Sequence, residues 1–221
     1  SDSVKNDLKK FKINAPIHKS LHPLYNNFGV MLNKKLARRK LKVDPNYNYI
    51  LFFGFIRKYK GLDLLIDAMS NKLIDERKIK LIIAGEFYEN EKYYKQKIYD
   101  LNLSKSIIIC DHYIDNNEVG KYFCASDLIV QPYLSATQSG ISMIALYFNR
   151  PVLATNVGGL SDYIKNNQNG YLVEPSSKKI VDSLLDFFDN KKSKVFEENI
   201  KHMKEQYSWS NLVNSFESIF K

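Results

Sequence analysis

The chain has 221 residues, of which 44% are hydrophobic, enough for one large or two small domains with a real core. Its net charge of +9 favours anionic partners, from nucleotides and phosphates to lipid head groups and nucleic acid, without choosing among them. No apolar run approaches the roughly 20 residues that cross a bilayer, no charged-then-apolar leader is present, and Cys110 and Cys124 lack metal-ligand spacing, so a soluble cytoplasmic protein with reduced thiols is expected.

In chain order, Ser3 to Phe11 has the spacing of a short amphipathic helix, and a loop from Asn14 to Gly29 follows. His18 and His22 stand four apart, but Pro23 and the loop composition argue against a helix that would pair them on a metal. Lys34, Lys35, Arg38, Arg39 and Lys40 make the densest basic cluster, on a helical pattern set by Met31, Leu32, Leu36 and Leu41. It reads as a solvated helix face; no zinc-ligand ring, paired stacking strands or helix-turn-helix marks a nucleic-acid binder.

From Tyr49 onward, short apolar runs alternate with helical stretches. The runs are Tyr49 to Phe53, Lys80 to Ala84, Ile107 to Cys110, Leu128 to Gln131, Pro151 to Thr155 and Tyr171 to Val173. Helices are expected between them at Leu62 to Asn71, Glu91 to Asp100, Asn117 to Ala125, Gly140 to Phe148 and Gly159 to Lys165. Runs apolar on both faces and separated by helices predict an α/β fold, a doubly wound, Rossmann-like parallel sheet of six strands. After Val173 the pattern is a helical tail, Ser177 to Asn190, Ser193 to Gln206 and Trp209 to Phe220, the last with an apolar stripe of Trp209, Leu212, Val213, Phe216, Ile219 and Phe220. The expected organisation is a linker or hinge over 1–48, a nucleotide-binding domain over 49–190 and carboxyl-terminal helices over 191–221, packed on that domain or reaching towards another.

Turn residues collect after the strands at Gly54, Gly85, Asp111, Pro132 and Gly158-Gly159, and in an open parallel sheet those loops share one rim. Two stretches on the rim carry chemistry. Ser135 to Gly140 is small and uncharged before an apolar helix, which leaves helix amides open to an anion, or else is an ordinary helix start capped by Ser139. Gly54 to Gly61, GFIRKYKG, brings Arg57, Lys58 and Lys60 to the same rim, where Arg57 and Lys60 are expected to face that anion; the bland reading is a solvated basic loop. Neither a dinucleotide glycine fingerprint nor a Walker pattern is present.

The stretches FFGFIRKYKGLDLLIDAM, KLIIAGEFY, DHYIDNNEVGKYFCASDLIVQPY, SATQSG and RPVLATNVGGL, in register from about His22 to Trp209, resemble the carboxyl-terminal domain of group 1, glycogen-synthase-like glycosyltransferases of the GT-B fold. The resemblance implies one half of a retaining, metal-independent enzyme. This half would bind a nucleotide-diphosphate-sugar, such as a UDP-, GDP- or ADP-sugar, as substrate and need no cofactor. It implies that Lys60 and the loop from Gly54 grip the diphosphate, that Thr137, Gln138, Ser139, Gly140 and Ile141 meet phosphate and sugar through backbone amides, and that Tyr113 walls the base. An amino-terminal domain would hold a glycan or lipid-linked acceptor, with peripheral contact at the inner membrane face compatible with the basic charge. This fragment alone is expected to be inactive.

The sequence departs from the family pattern in two places. The usual arginine after the first glycine is Phe55, for which Arg57 is the expected substitute, and the usual glutamates of the helix entrance are Ala136 and Ile144. Those losses keep open an alternative: a non-catalytic nucleotide or anion-binding module, or an inactive relative of the glycosyltransferases.

Overall fold

The computed structural model describes residues 2–11 and 15–219. Six strands, β1 (Asn48–Phe53), β2 (Ile79–Ala84), β3 (Ile107–Cys110), β4 (Leu128–Gln131), β5 (Val152–Thr155) and β6 (Gly170–Val173), form one sheet in the order β3-β2-β1-β4-β5-β6. Every pairing is parallel, with Leu51 opposite Ile82 on one side and Ile129 on the other.

The strands form because their side chains are apolar on both faces, and alternate residues feed two different cores. Ile50, Phe52, Leu81 and Val130 point to one face, where they meet α3 (Leu62–Met69), α5 (Glu91–Asp100) and α8 (Ser177–Asp189) through Leu65, Ile98 and Leu184. Tyr49, Leu51, Ile82 and Ile129 point to the other, against α2 (Lys34–Leu41), α6 (Asn116–Ala125) and α7 (Gly140–Tyr147) through Ala37, Phe123 and Ala145. The helix after β1 thus covers one face and the helix after β4 the other. Between these adjacent strands the loops part, and such a crevice is where open α/β sheets take ligands.

At the amino-terminal end, α1 spans Asp2–Lys9, and residues 21–33 run extended across α6 and α7. Gly120 N–H donates to the Phe28 carbonyl and Leu24 N–H to that of Tyr207. A short α4 (Lys72–Glu76), capped by Asn71, precedes β2 where the sequence pattern showed only a connection. The helix expected over Gly159 to Lys165 is instead a single 3-10 turn, Leu160–Asp162. The reason is Asn169: its side chain accepts from the Lys165 amide at 2.7 Å and donates to the Tyr163 carbonyl at 2.8 Å, drawing that backbone away from helical partners.

In the tail, α9 (Ser193–Met203) buries Phe196 and Ile200, whereas α10 (Trp209–Glu217) buries nothing and leaves Trp209, Val213 and Phe216 exposed. Phe220, expected on the same stripe, and Asn14, at the start of the expected loop, lie outside the described residues. No described helix is long and apolar enough to cross a membrane.

Candidate functional site

The crevice between the β1 and β4 ends opens into a cavity of about 940 Å³. The loops around it turn at positions only glycine tolerates. Gly54 sits at φ +92°, and Gly61, at φ +66°, lies so near Pro132 that a Cβ would come within 1.9 Å of its carbonyl oxygen. The Leu134 amide donates to the Tyr59 carbonyl at 2.7 Å, so the loops after β1 and β4 are joined directly. Gly158 supports the second loop from below: at φ +55°, a Cβ there would meet the Ala136 carbonyl oxygen at 1.4 Å, and Gly159 N–H donates to the Thr137 carbonyl.

Lys60 ends a 3-10 turn, Lys58–Lys60, that returns its side chain inwards. It is only 7% exposed, and its ammonium lies 5.9 Å from the centre of the Tyr133 ring. No described residue gives it a hydrogen bond or ion pair. Burial, with Arg57 nearby as a second positive charge, lowers its pKa to about 8. A buried ammonium without a counterion is costly unless an anion arrives. A Cβ at Gly54 would meet Lys60 Nζ at 3.2 Å and Ile141 Cδ1 at 3.5 Å, so the ammonium and the Ile141 side chain both reach this glycine.

The entrance of α7 is open. Ser139 occupies the N-cap position with extended backbone, φ −136° and ψ 116°, yet its hydroxyl makes no capping bond. Instead Gln131 Nε2 donates to Ser139 Oγ at 2.7 Å, while Gln131 Oε1 accepts from Ser142 Oγ at 2.7 Å. The N–H groups of Gly140 and Ile141 have no acceptor among the described residues. Orphan amides at a helix start carry partial positive charge and suit an anion.

Of the residues singled out from sequence, Gly54, Lys60, Tyr113, Thr137, Gln138, Ser139, Gly140 and Ile141 all line this one cavity. The solvated-loop reading of Lys60 is replaced by a buried ammonium, and the capping reading of Ser139 by the bond to Gln131.

Arg57 is the correction. Its segment is extended as expected, but Ile56 takes the inward position, and the Arg57 guanidinium lies 4.8 Å from the ring centre of Tyr88, outside the cavity lining. Phe55, which does line the cavity, packs on the same ring at 4.8 Å. Arg57 adds its charge to the burial that lowers the Lys60 pKa.

Ala136 and Ile144 both line the cavity, which leaves the helix side without a carboxylate; Glu86, after β2, is the acidic side chain in the lining. Tyr25 of the extended segment is also in the wall, its ring 3.0 Å from where a Gly140 Cβ would stand, and its hydroxyl lies 3.3 Å from His22 Nε2. Tyr25 and Glu86 carried no sequence signal of their own. Gln131 did: a polar residue ending an otherwise apolar, buried strand needs partners. Among the described residues no group of three or more His, Cys, Asp or Glu is placed to hold a metal ion.

The basic cluster at 34–40 has other work. Arg38 donates to Asp127 Oδ2 at 2.8 Å and to the carbonyls of Ala125 and Pro45, and Lys34 donates to Asp127 Oδ1 at 2.7 Å.

Residues 33–203 match the model of the family described as glycosyl transferases group 1. An uncharacterized glycosyltransferase of Methanocaldococcus jannaschii is 25% identical over 210 residues, 93% of this chain and 53% of that protein. The chain spans about half the length of these curated relatives, a second from Methanocaldococcus jannaschii and one from Klebsiella pneumoniae included. Among solved structures, the carboxyl-terminal domain of a group 1 family glycosyl transferase from Francisella tularensis superposes with a TM-score of 0.69 at 26% identity, over 81% of this chain and 93% of that one. Anabaena HepE, solved in complex with UDP-glucose, superposes with a TM-score of 0.71 at 19% identity over 89% of this chain and 56% of that one.

Proposed function

For a chain that belongs to the group 1 glycosyl transferases, we propose the role of donor half: it binds a nucleotide-diphosphate-sugar in the β1/β4 crevice, diphosphate against Lys60 and the α7 entrance. The observation that carries this is that one cavity is lined both by a buried ammonium and by a helix start whose first amides, like that ammonium, have no partner among the described residues. A pyrophosphate answers both, supplying the missing counterion and the missing acceptors together. HepE, which has this fold, is a protein solved with UDP-glucose, and that supports a nucleotide-sugar as the class of ligand.

The full enzyme, in this reading, transfers a hexose-type sugar with retention to a glycan or lipid-linked acceptor bound by a second domain. As the bond from the anomeric carbon to the diphosphate breaks, negative charge grows on the leaving phosphate. Lys60 Nζ and the Gly140 and Ile141 amides stabilise that charge. The aromatic wall, Tyr25, Phe28, Phe53 and Tyr113, offers stacking surfaces to the nucleoside. The exposed stripe of α10 is assigned to the second domain, which supplies the rest of the cleft.

Calorimetric titration of the domain with UDP, GDP and ADP tests the reading. At least one should bind, and Lys60→Ala should weaken it far more than Arg57→Ala. Equal affinity in the wild type and Lys60→Ala would remove the phosphate assignment. A non-catalytic binding module is the second reading, favoured by the absence of carboxylates at Ala136 and Ile144. Hydrolysis or transfer of donor sugar by the full-length protein would exclude it.

A further inference from the structure

We infer that Gln131 is a positioning residue, a latch that withholds the Ser139 hydroxyl from the helix it would otherwise cap and so keeps the α7 amides available to the ligand's diphosphate. The inference rests on the donor reading for its ligand and on the hydrogen bonds around Gln131 for its mechanism.

Serine at an N-cap position with extended backbone ordinarily turns its oxygen onto the amides of the first helical turn. Ser139 has that position, with φ −136° against −57° to −77° at the helix starts that a side chain caps, and its oxygen is taken by Gln131 Nε2 at 2.7 Å. The arrangement is held from both ends. Gln131 is 1% exposed and fixed at the end of β4, and its carbonyl oxygen accepts from Ser142 Oγ, one turn into α7. Tyr133, whose ring lies beneath the Lys60 ammonium, places its hydroxyl 3.4 Å from both Gln131 Nε2 and Ser139 Oγ. Strand end, helix start and ammonium therefore share one buried polar cluster.

An amide side chain suits this place because it donates at one end and accepts at the other. The donor end occupies the serine oxygen, and the acceptor end satisfies a buried hydroxyl that would otherwise lack a partner. With an apolar side chain at 131, Ser139 Oγ is free to rotate onto its own helix. A diphosphate must then displace a hydrogen bond that the native protein never forms.

The test uses Gln131→Leu with and without Ser139→Ala, followed by amide hydrogen exchange at Ile141 and Ser142 and by titration with UDP and inorganic pyrophosphate. Without ligand, exchange at the helix start should slow by about fivefold in Gln131→Leu, the fold-change a serine cap corresponds to. Affinity for the diphosphate should fall by a similar factor. Adding Ser139→Ala to Gln131→Leu should then restore it, because the competing cap is gone.

Unchanged exchange in a folded Gln131→Leu protein, or a loss of affinity that Ser139→Ala does not relieve, would overturn the latch, since a merely structural glutamine predicts no rescue. Ser142→Ala, which frees only one end of Gln131, should move both readouts in the same direction by less, and it keeps the question open to measurement if Gln131→Leu fails to fold. Failure of UDP and pyrophosphate to bind the wild type would overturn the donor reading instead, and the exchange measurement would still decide whether Gln131 holds Ser139.

Discussion

Two basic stretches look alike in the sequence and lie at opposite ends of the same sheet. At the amino-terminal end of β4, Arg38 and Lys34 converge on Asp127, whose carboxylate also accepts from the Tyr49 amide at 2.8 Å. At the carboxyl-terminal ends, Lys60 is as deeply buried as Arg38 and has no counterion among the described residues. The first cluster is denser in charge, and most of its inward-facing charge is spent on holding α2 to the sheet. What distinguishes a ligand site here is charge left unbalanced by the fold.

Removing a partner at each end should therefore give opposite results. Asp127→Ala leaves Arg38 buried without its carboxylate, and breaking such a pair should cost about 3–5 kcal/mol of stability, read by chemical denaturation. A loss below about 1 kcal/mol would mean the pair is no more than a surface contact. Lys60→Met should leave the melting temperature unchanged or raised, since a charge that nothing balances is removed. Its diphosphate affinity should drop by about 10- to 100-fold, the loss of a charge-assisted contact.

The same imbalance predicts a pH dependence. With its folded pKa lowered to about 8 from the ordinary 10.5, Lys60 imposes its full burial penalty below pH 8, and that penalty is relieved as pH rises through 8 to 10.5. Over that window the unfolded chain holds a proton the folded chain has released, so this group's contribution to stability rises with pH. Ligand binding runs the other way. The diphosphate needs the protonated amine, so affinity should be flat below about pH 8 and fall above it, approaching about tenfold per unit, and the Lys60→Met profile should lack the fall. Parallel profiles in wild type and variant would remove Lys60 from the site. The smallest effect is expected at the exposed side of the first cluster: Lys35→Glu with Lys40→Glu should change stability by less than about 0.5 kcal/mol and leave diphosphate affinity within about twofold.

Much of this fold was legible because parallel strands covered on both faces must be apolar at every position. β2 and β4 meet that condition nearly throughout, and turn glycines after β1 and β2 marked the rim. The helix expected after Gly159 was misread because its competitor is local and polar: Asn169 takes the backbone bonds that propensity assigned to a helix.

Which residue types would gather at the crevice was written in the chain itself: a glycine turn with a lysine after β1, a small uncharged turn before α7, and the paired glycines that support it. Only the tertiary structure decided how they are used, because each outcome depends on a partner remote in sequence. Arg57 stacks on Tyr88 outside the cavity lining, Asp127 pairs with Arg38 and Lys34 of the denser basic cluster, and Gln131 takes the hydroxyl of Ser139. Charge and hydrogen-bonding capacity belong to a residue, but whether they remain available to a ligand is settled by what the fold places beside them.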